Sequence, residues 1–268
     1  MQRRRFLSHT TRLALGTVGL TALPVAWAQV KDLNDAINKA GRQRMLSQRA
    51  GKAWLALVHK PDNASARQVL DQSIALFERQ LGELRTYAPS APIRDTYAQL
   101  EQAWGEHRQA LQASAPAREG AAPMLRLDAK VLALAHQGTV QYEAASGKPV
   151  GQLVNVAGRQ RMLSQRMAKF YLAAALPVDA DTATAEITKA RTEFMAATEL
   201  LRKAPEATDR IGQELLLADG QWVFFDAALQ RLQGAGTTPR QISDVFVASE
   251  NLLASMDRVT GMYAALAS

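Results

Sequence analysis

The sequence predicts an all-α protein made of two tandem antiparallel four-helix bundles that form a pseudo-dimer within one chain. Its 268 residues are rich in Ala, Leu, Gln and Arg and contain only 16 Gly and 10 Pro, a composition typical of helical proteins. Apolar residues recur at spacings of three and four, and no stretch shows the alternation of a β-strand. A ten-residue segment also occurs twice, which indicates an internal duplication.

The first bundle is assigned to residues 29–147 and contains four predicted helices. Turns rich in proline and polar residues separate them, one at residues 60–63 and one at 88–92. In the second helix, Leu70, Ile74, Phe77, Leu81 and Leu84 follow a 4-3-4-3 spacing. The predicted helices cover residues 32–59, 64–87, 93–113 and 123–145.

The second bundle is assigned to residues 148–268 and repeats this order. Pro177, Pro205 and the glycine-rich segment 234–239 separate its helices, which are predicted at residues 150–176, 181–203, 206–233 and 239–266. The link between the bundles, residues 146–149, is short. We therefore expect the two bundles to pack against each other.

Residues 1–28 have the features of an export signal. Arg3, Arg4 and Arg5 precede Phe6, a short apolar stretch follows, and residues 26–28 form a small-x-small cleavage site. The Arg-rich start followed by Phe-Leu resembles a twin-arginine signal, and a general secretory signal is the alternative. We predict cleavage after Ala28, a periplasmic mature protein and no membrane span in the mature chain.

Composition and motifs exclude several classes of function. The four arginines of residues 1–28 leave 28 Lys and Arg against 25 Asp and Glu, a net charge of +3 that does not indicate nucleic-acid binding. The absence of cysteine excludes thiolate catalysis and Cys-ligated metals. The chain has no metalloprotease, serine hydrolase or phosphate-loop motif, and the histidines after residue 28 all lie in the first half. We predict a non-enzymatic protein with no catalytic residue, cofactor or metal.

The repeated segment is the strongest functional signal in the sequence. Residues 40–49 recur unchanged as residues 157–166, an offset of 117, while the rest of the two halves keeps pattern more than identity. The flanking Asn38 and Lys52 also match Asn155 and Lys169 at this offset. Helix cores accept many apolar substitutions, so a fold constraint alone does not explain an unchanged segment.

An arginine lies midway along the small and apolar face of each repeated helix. Each helix is apolar on two sides, so we expect it to face its own bundle and the equivalent helix of the other bundle. Two buried guanidiniums would then meet with no acidic residue in the repeated segment, and a small oxyanion between them would compensate their charge. The predicted ligand-binding residues are Arg44, Arg161, Ala40, Gly41, Ser47, Ala157, Gly158 and Ser164.

Salt bridges are the alternative role of the two arginines. Arg44 and Arg161 would then pair with acidic residues of other helices, for example Glu78 or Glu193, in a structural or adaptor protein of the envelope. The other four arginines of the repeated segments lie off this face. We expect these to be solvated or ion-paired: Arg42, Arg49, Arg159 and Arg166.

The repeated pattern N-x-A-G-R-Q-R-M-L-S-Q-R resembles the signature of the PilJ-type N-terminal domain of type IV pilus chemoreceptors, a family related to the NarX/NarQ-type nitrate and nitrite sensor kinases. The resemblance implies four-helix bundles whose first helix binds an anion through the arginine before Met, here Arg44 and Arg161. Gln48 and Gln165 stand where the nitrate kinases carry an aromatic residue, so both segments are closer to the pilus type. The implied function is a periplasmic module that binds a small oxyanion such as nitrate or nitrite and signals through a partner, a membrane-bound sensor or chemoreceptor protein. For the alternative without a ligand, the resemblance implies a structural or adaptor protein of the type IV pilus system.

Overall fold

The protein is all-α, as predicted. The computed structural model describes residues 29–112, 115–176 and 178–266, and the predicted export signal lies outside these ranges. Within them there are eight α-helices and no strand, and no helix has the length and apolar character needed to cross a membrane. The helices are α1 (Leu33–His59), α2 (Ala64–Tyr87), α3 (Ala91–Gln112), α4 (Ala121–Ser146), α5 (Pro149–Ala175), α6 (Ala180–Lys203), α7 (Asp209–Leu229) and α8 (Pro239–Ala265).

Seven of the helices begin and end within two residues of the predicted bounds. The exception is α7, which was predicted at 206–233 and is shorter at both ends. It begins later because Thr208 caps it: the side chain of Thr208 accepts a hydrogen bond from the backbone N–H of Ile211. It ends at Leu229, where a turn leads into the short 3₁₀ helix Gly234–Gly236.

The helices that carry the repeated segments, α1 and α5, lie at the centre of the fold. They form the most extensive helix pair; α1 also packs on α2 and α4, and α5 on α6 and α8. The remaining helices, α3 and α7, pack mainly on α4 and α8. Gly41 and Gly158 allow the two central helices to approach closely, since a Cβ added to Gly41 would lie 3.8 Å from the Cα of Gly158. Ala40 and Ala157 are fully buried, as predicted.

Equivalent aromatic pairs anchor the two halves. Phe77 stacks on Trp104 with ring centroids 3.7 Å apart, and Phe194 stacks on Trp222 at 4.5 Å. Phe194 lies 117 positions after Phe77 and Trp222 lies 118 positions after Trp104, and each pair joins the second and third helices of its own half. Aromatic stacking of this kind stabilises a core beyond the area it buries.

Two buried tyrosines show how the last helices of the halves correspond. The hydroxyl of Tyr142 donates to the carbonyl of Leu84, and the hydroxyl of Tyr263 donates to the carbonyl of Leu201, both at 2.8 Å. The two acceptors are equivalent at the offset of 117. The tyrosines that reach them are 121 positions apart, so residues of α4 and α8 correspond at an offset of 121.

Candidate functional site

The structure brings Arg44 and Arg161 together at the contact between α1 and α5. Both side chains are fully buried. A Cβ added to Gly41 would lie 3.2 Å from Nη2 of Arg44 and 3.5 Å from Nη2 of Arg161, and one added to Gly158 would lie 3.1 Å from Arg161 and 3.7 Å from Arg44. The two glycines thus leave the space in which both guanidiniums sit.

Arg44 is held by neutral acceptors. Its Nη2 donates to the backbone oxygen of Asn155 at 3.2 Å and to the side-chain oxygen of the same residue at 2.7 Å, while Nη1 lies 3.3 Å from Nδ1 of His136. Its buried Nε has no hydrogen-bond partner among the described residues. Burial, together with the charges of Arg159 and Arg161, lowers the pKa of Arg44 to about 9, so the guanidinium stays charged at neutral pH.

Arg161 has an acidic partner, which the sequence analysis did not identify. Its Nη1 donates to the carboxylate of Asp257 on α8 at 2.5 Å, and its Nη2 donates to the backbone oxygen of Asn38 at 3.0 Å. Arg42 also donates to Asp257, at 2.7 Å. Burial and then Arg42 lower the pKa of Arg161, Asp257 opposes them, and the result is about 10. Burial raises the pKa of Asp257, but Arg161 and Arg42 outweigh it and lower that pKa to about 2.

The other four arginines of the repeated segments are ion-paired, in line with the expectation for them. Neither acid suggested for the salt-bridge alternative reaches Arg44 or Arg161: Glu78 pairs with Arg108 at the surface, and Glu193 with Arg159. The four ion pairs are Arg42–Asp257, Arg49–Glu250, Arg159–Glu193 and Arg166–Glu186.

The small residues predicted at the site position the arginines. Ala40, Gly41, Ala157 and Gly158 lie on the buried face of α1 or α5. Ser47 and Ser164 are also buried, and their hydroxyls donate to the backbone oxygens of Arg44 at 3.1 Å and Arg161 at 2.8 Å. Both serines donate their hydroxyl protons within their own helices. They therefore stabilise the helix turns that carry the arginines.

A pair of buried lysines also crosses between the halves. Lys52 on α1 donates to Glu250 on α8 at 2.6 Å, and Lys169 on α5 is bonded to Asp128 on α4. Burial lowers the pKa of Lys52 to about 8, although Glu250 opposes that shift. The sequence contained a signal for this pair, since Lys52 and Lys169 match at the offset of 117. It did not reveal the acidic partners, which lie on the less similar helices α4 and α8.

A cavity of about 260 Å³ lies beside Arg44, between α4, α5 and α6. Apolar side chains form part of its wall, and the charged or polar residues that line it are Arg44, His136, Arg159, Arg166, Glu186, Lys189 and Glu193. Burial and the charges of Arg44 and Arg159 lower the pKa of His136, so at neutral pH its ring is uncharged. No cluster of three or more acidic, His or Cys side chains suited to a metal ion occurs in the described ranges.

Comparison with known proteins identifies the family. Residues 25–129 and 142–219 match the family described as the type IV pili methyl-accepting chemotaxis transducer N-terminal domain, and these segments include both arginines. No curated protein and no solved structure was found to match the chain. The matched segments cover more than half of the sequence, and the family is a sensory domain rather than an enzyme. The chain belongs to the PilJ family of type IV pili chemotaxis transducer N-terminal domains.

Proposed function

We propose that the protein is a periplasmic sensor module that binds a small oxyanion, such as nitrate or nitrite, at the paired arginine segments and passes the signal to a membrane-bound sensor or chemoreceptor. The observation that carries this proposal is the meeting of two fully buried guanidiniums, Arg44 and Arg161, across Gly41 and Gly158. Of these two guanidiniums, only that of Arg161 is hydrogen-bonded to a carboxylate of the described residues. An oxyanion at this point compensates the remaining charge and uses the planar donor edges of guanidinium.

The charge around Arg44 supports an anion in particular. A buried charge without an opposite charge costs several kcal/mol, and like charges nearby add to that cost. Among the described residues, Arg44 hydrogen-bonds only to neutral acceptors. The carboxylate of Glu143 accepts a hydrogen bond from the side chain of Asn155 and offsets part of the charge of Arg44 from there. Arg159 and Arg161 both act on Arg44 as like charges. Binding an anion here removes an electrostatic cost that the free protein carries.

The reciprocal contacts support a site shared by two halves, residues 29–147 and 148–268, that act as a pseudo-dimer. Arg44 in the first half donates to Asn155 in the second, and Arg161 donates to the backbone of Asn38 in the first. A ligand at this contact couples the relative position of α1 and α5 to occupancy. Such coupling is what a sensor requires, since a ligand can shift a conformation only through different contacts in its two states.

The Arg161–Asp257 ion pair favours a second candidate function. In a structural or adaptor protein of the envelope, the buried arginines would serve to join helices, as this pair joins α5 to α8. The two functions differ in their response to ligand. Only the sensor is stabilised by a specific anion.

Thermal unfolding of the mature chain in nitrate, nitrite, sulfate and chloride at equal ionic strength tests the proposal. An anion that binds the folded state alone stabilises it by about 2.7 kcal/mol at a hundredfold excess over Kd. We expect a rise in Tm with one or more small oxyanions, and its loss in Arg44→Gln. Surface-paired Arg108→Gln is the matched control and should keep the response. Equal shifts in all four salts, unchanged in Arg44→Gln, would favour the adaptor function.

A further inference from the structure

The two halves differ at one position that faces the paired arginines. At the offset of 121 set by Tyr142 and Tyr263, Asp257 of α8 corresponds to His136 of α4. Their roles correspond as well, because Asp257 contacts Arg161 and His136 contacts Arg44, the equivalent arginine. One half of the site therefore has a carboxylate where the other half has an uncharged imidazole.

Asp257 shows how this protein holds a carboxylate. One of its oxygens accepts from Arg161 at 2.5 Å and from Arg42 at 2.7 Å. The residues equivalent to this pair at the offset of 117 are Arg44 and Arg159, and both line the cavity beside His136. In the second half, the place beside the arginine is filled by a carboxylate of the chain itself, Asp257. The equivalent place in the first half opens onto a cavity.

Arg44 keeps donors for a ligand at this place. A guanidinium has five N–H groups, and the hydrogen bonds to Asn155 and His136 use three of them. The contact with His136 is the longest of the three at 3.3 Å, and the buried Nε has no partner among the residues that the structure describes. The Nε of Arg161 is unpaired in the same way, so the two arginines differ in the carboxylate that Arg161 contacts and not in this donor. A bound anion replaces the weak contact with His136 and satisfies a donor that is otherwise unpaired.

The other charges of the cavity leave it positive. Arg159 and Arg166 are paired with Glu193 and Glu186, which also line the cavity. The exposed Lys189 forms no ion pair within the described ranges and lies with these groups on the cavity wall. Arg44 and Lys189 are thus the cavity cations without a directly bonded carboxylate.

The rest of the wall is apolar. A volume of about 260 Å³ is below the range of drug-sized ligand pockets and suits a molecule of a few heavy atoms. Nitrate or nitrite would contact the cationic residues of the cavity and would leave its apolar residues in contact with water. The apolar residues come from three helices: Ala129, Leu132, Ala133, Met162, Leu163 and Ala190.

We propose that this cavity binds one short-chain aliphatic monocarboxylate per chain, with the carboxylate at the place equivalent to that of Asp257. It contacts Arg44, which lacks a bonded carboxylate, and Arg159, whose Nε remains paired with Glu193. The aliphatic chain lies on the apolar wall, and Lys189 draws the anion to the entrance. The inference rests on the proposed anion sensor and specifies its ligand class and stoichiometry. The Arg161 half takes no ligand, because Asp257 already occupies it.

Isothermal titration of the mature chain with nitrate, formate, acetate, propionate and butyrate tests the ligand class without any variant. We expect one carboxylate per chain and an affinity that rises roughly fourfold per buried methylene until the cavity is filled. Nitrate should bind more weakly than propionate. Nitrate binding at least as tightly as every carboxylate, or two ligands per chain, would overturn the inference while leaving an anion sensor in place.

His136→Asp tests the location, since the introduced carboxylate pairs with Arg44 as Asp257 pairs with Arg161. Binding of propionate should fall by about tenfold or more. Gln137→Asp is the matched control: it makes a similar charge change one residue away, at a side chain that bonds Thr96 on α3, and should bind like wild type. Propionate binding that persists in His136→Asp but is lost in Arg44→Gln would contradict binding in this cavity and would leave the proposed anion sensor in place. No binding of any tested anion to the wild-type chain overturns the proposed sensor as well.

Discussion

The unequal partners of Arg44 and Arg161 predict unequal effects of removing them. Arg161→Gln breaks an ion pair and leaves Asp257 without one of its two arginines. Breaking a fully buried pair costs about 3–5 kcal/mol. Asp257 is 43% exposed and keeps Arg42, so we expect a smaller loss of about 1–2 kcal/mol in the free energy of unfolding.

Arg44→Gln should behave differently in the absence of ligand. It removes hydrogen bonds to Asn155, each worth about 1 kcal/mol, but it also removes a buried charge that two neighbouring arginines repel. These effects oppose each other, so we expect stability within about 1 kcal/mol of wild type or above it. The variant with both substitutions should be no less stable than Arg161→Gln, because the effects of substituting two neighbouring groups that repel each other do not simply add.

Urea denaturation of the protein in an anion-poor buffer measures the difference. Arg108→Gln removes a surface ion pair and should change stability by less than about 0.5 kcal/mol. If Arg44→Gln destabilises the chain as much as Arg161→Gln or more, then Arg44 is compensated in the free protein. Its charge would then give no reason to bind an anion.

Three further predictions concern the packing and ion pairs around the site. Ala40→Leu should cost about 1–3 kcal/mol in urea denaturation and weaken the anion response, because Ala40 is fully buried on α1 beside the α5 contact; an unchanged stability would contradict that packing. Asp128→Asn should cost about 3–5 kcal/mol by leaving Lys169 buried without its acid, and adding Lys169→Met should restore most of the loss. Burial opposes ionisation of Glu250, but Lys52 and Arg49 outweigh it and lower its pKa from 4.5 to about 2. The stability from this carboxylate should be present above about pH 4.5 and lost as the pH falls towards 2, and unfolding measured from pH 6 to 2 should show a shallower loss in Glu250→Gln.

The helices were predictable because local signals determine them. Apolar spacing and proline positions placed seven helices to within two residues, and only α7 was overextended, where Thr208 caps a later start. Local signals also put both arginines on buried helix faces. The close approach of Gly41 and Gly158 is consistent with the small residues that the repeated segment carries.

The partners of the arginines were not predictable in the same way. Asp257 lies 96 positions from Arg161 in the sequence, and any acid at a suitable turn of a neighbouring helix was a candidate. The difference between His136 and Asp257 was hidden because α4 and α8 correspond at an offset of 121, not the 117 of the repeated segment. The matching tyrosine contacts fix that alignment, and the equivalent hydrogen bonds of Thr139 and Thr260 agree with it.

Nuclear magnetic resonance of the arginine Nε–H groups tests most directly whether Arg44 receives an anion. In ¹⁵N-labelled mature chain, spectra of Arg44→Gln and Arg161→Gln assign the two resonances, and the wild-type chain is titrated with nitrate and with propionate. The Nε–H groups of both arginines have no partner among the described residues, and Asp257 bonds Nη1 of Arg161. We expect the Arg44 Nε–H to shift and saturate, while that of Arg161 moves little because its guanidinium is already ion-paired with Asp257. An Arg44 resonance that stays fixed at anion concentrations that raise Tm would contradict anion binding at this arginine.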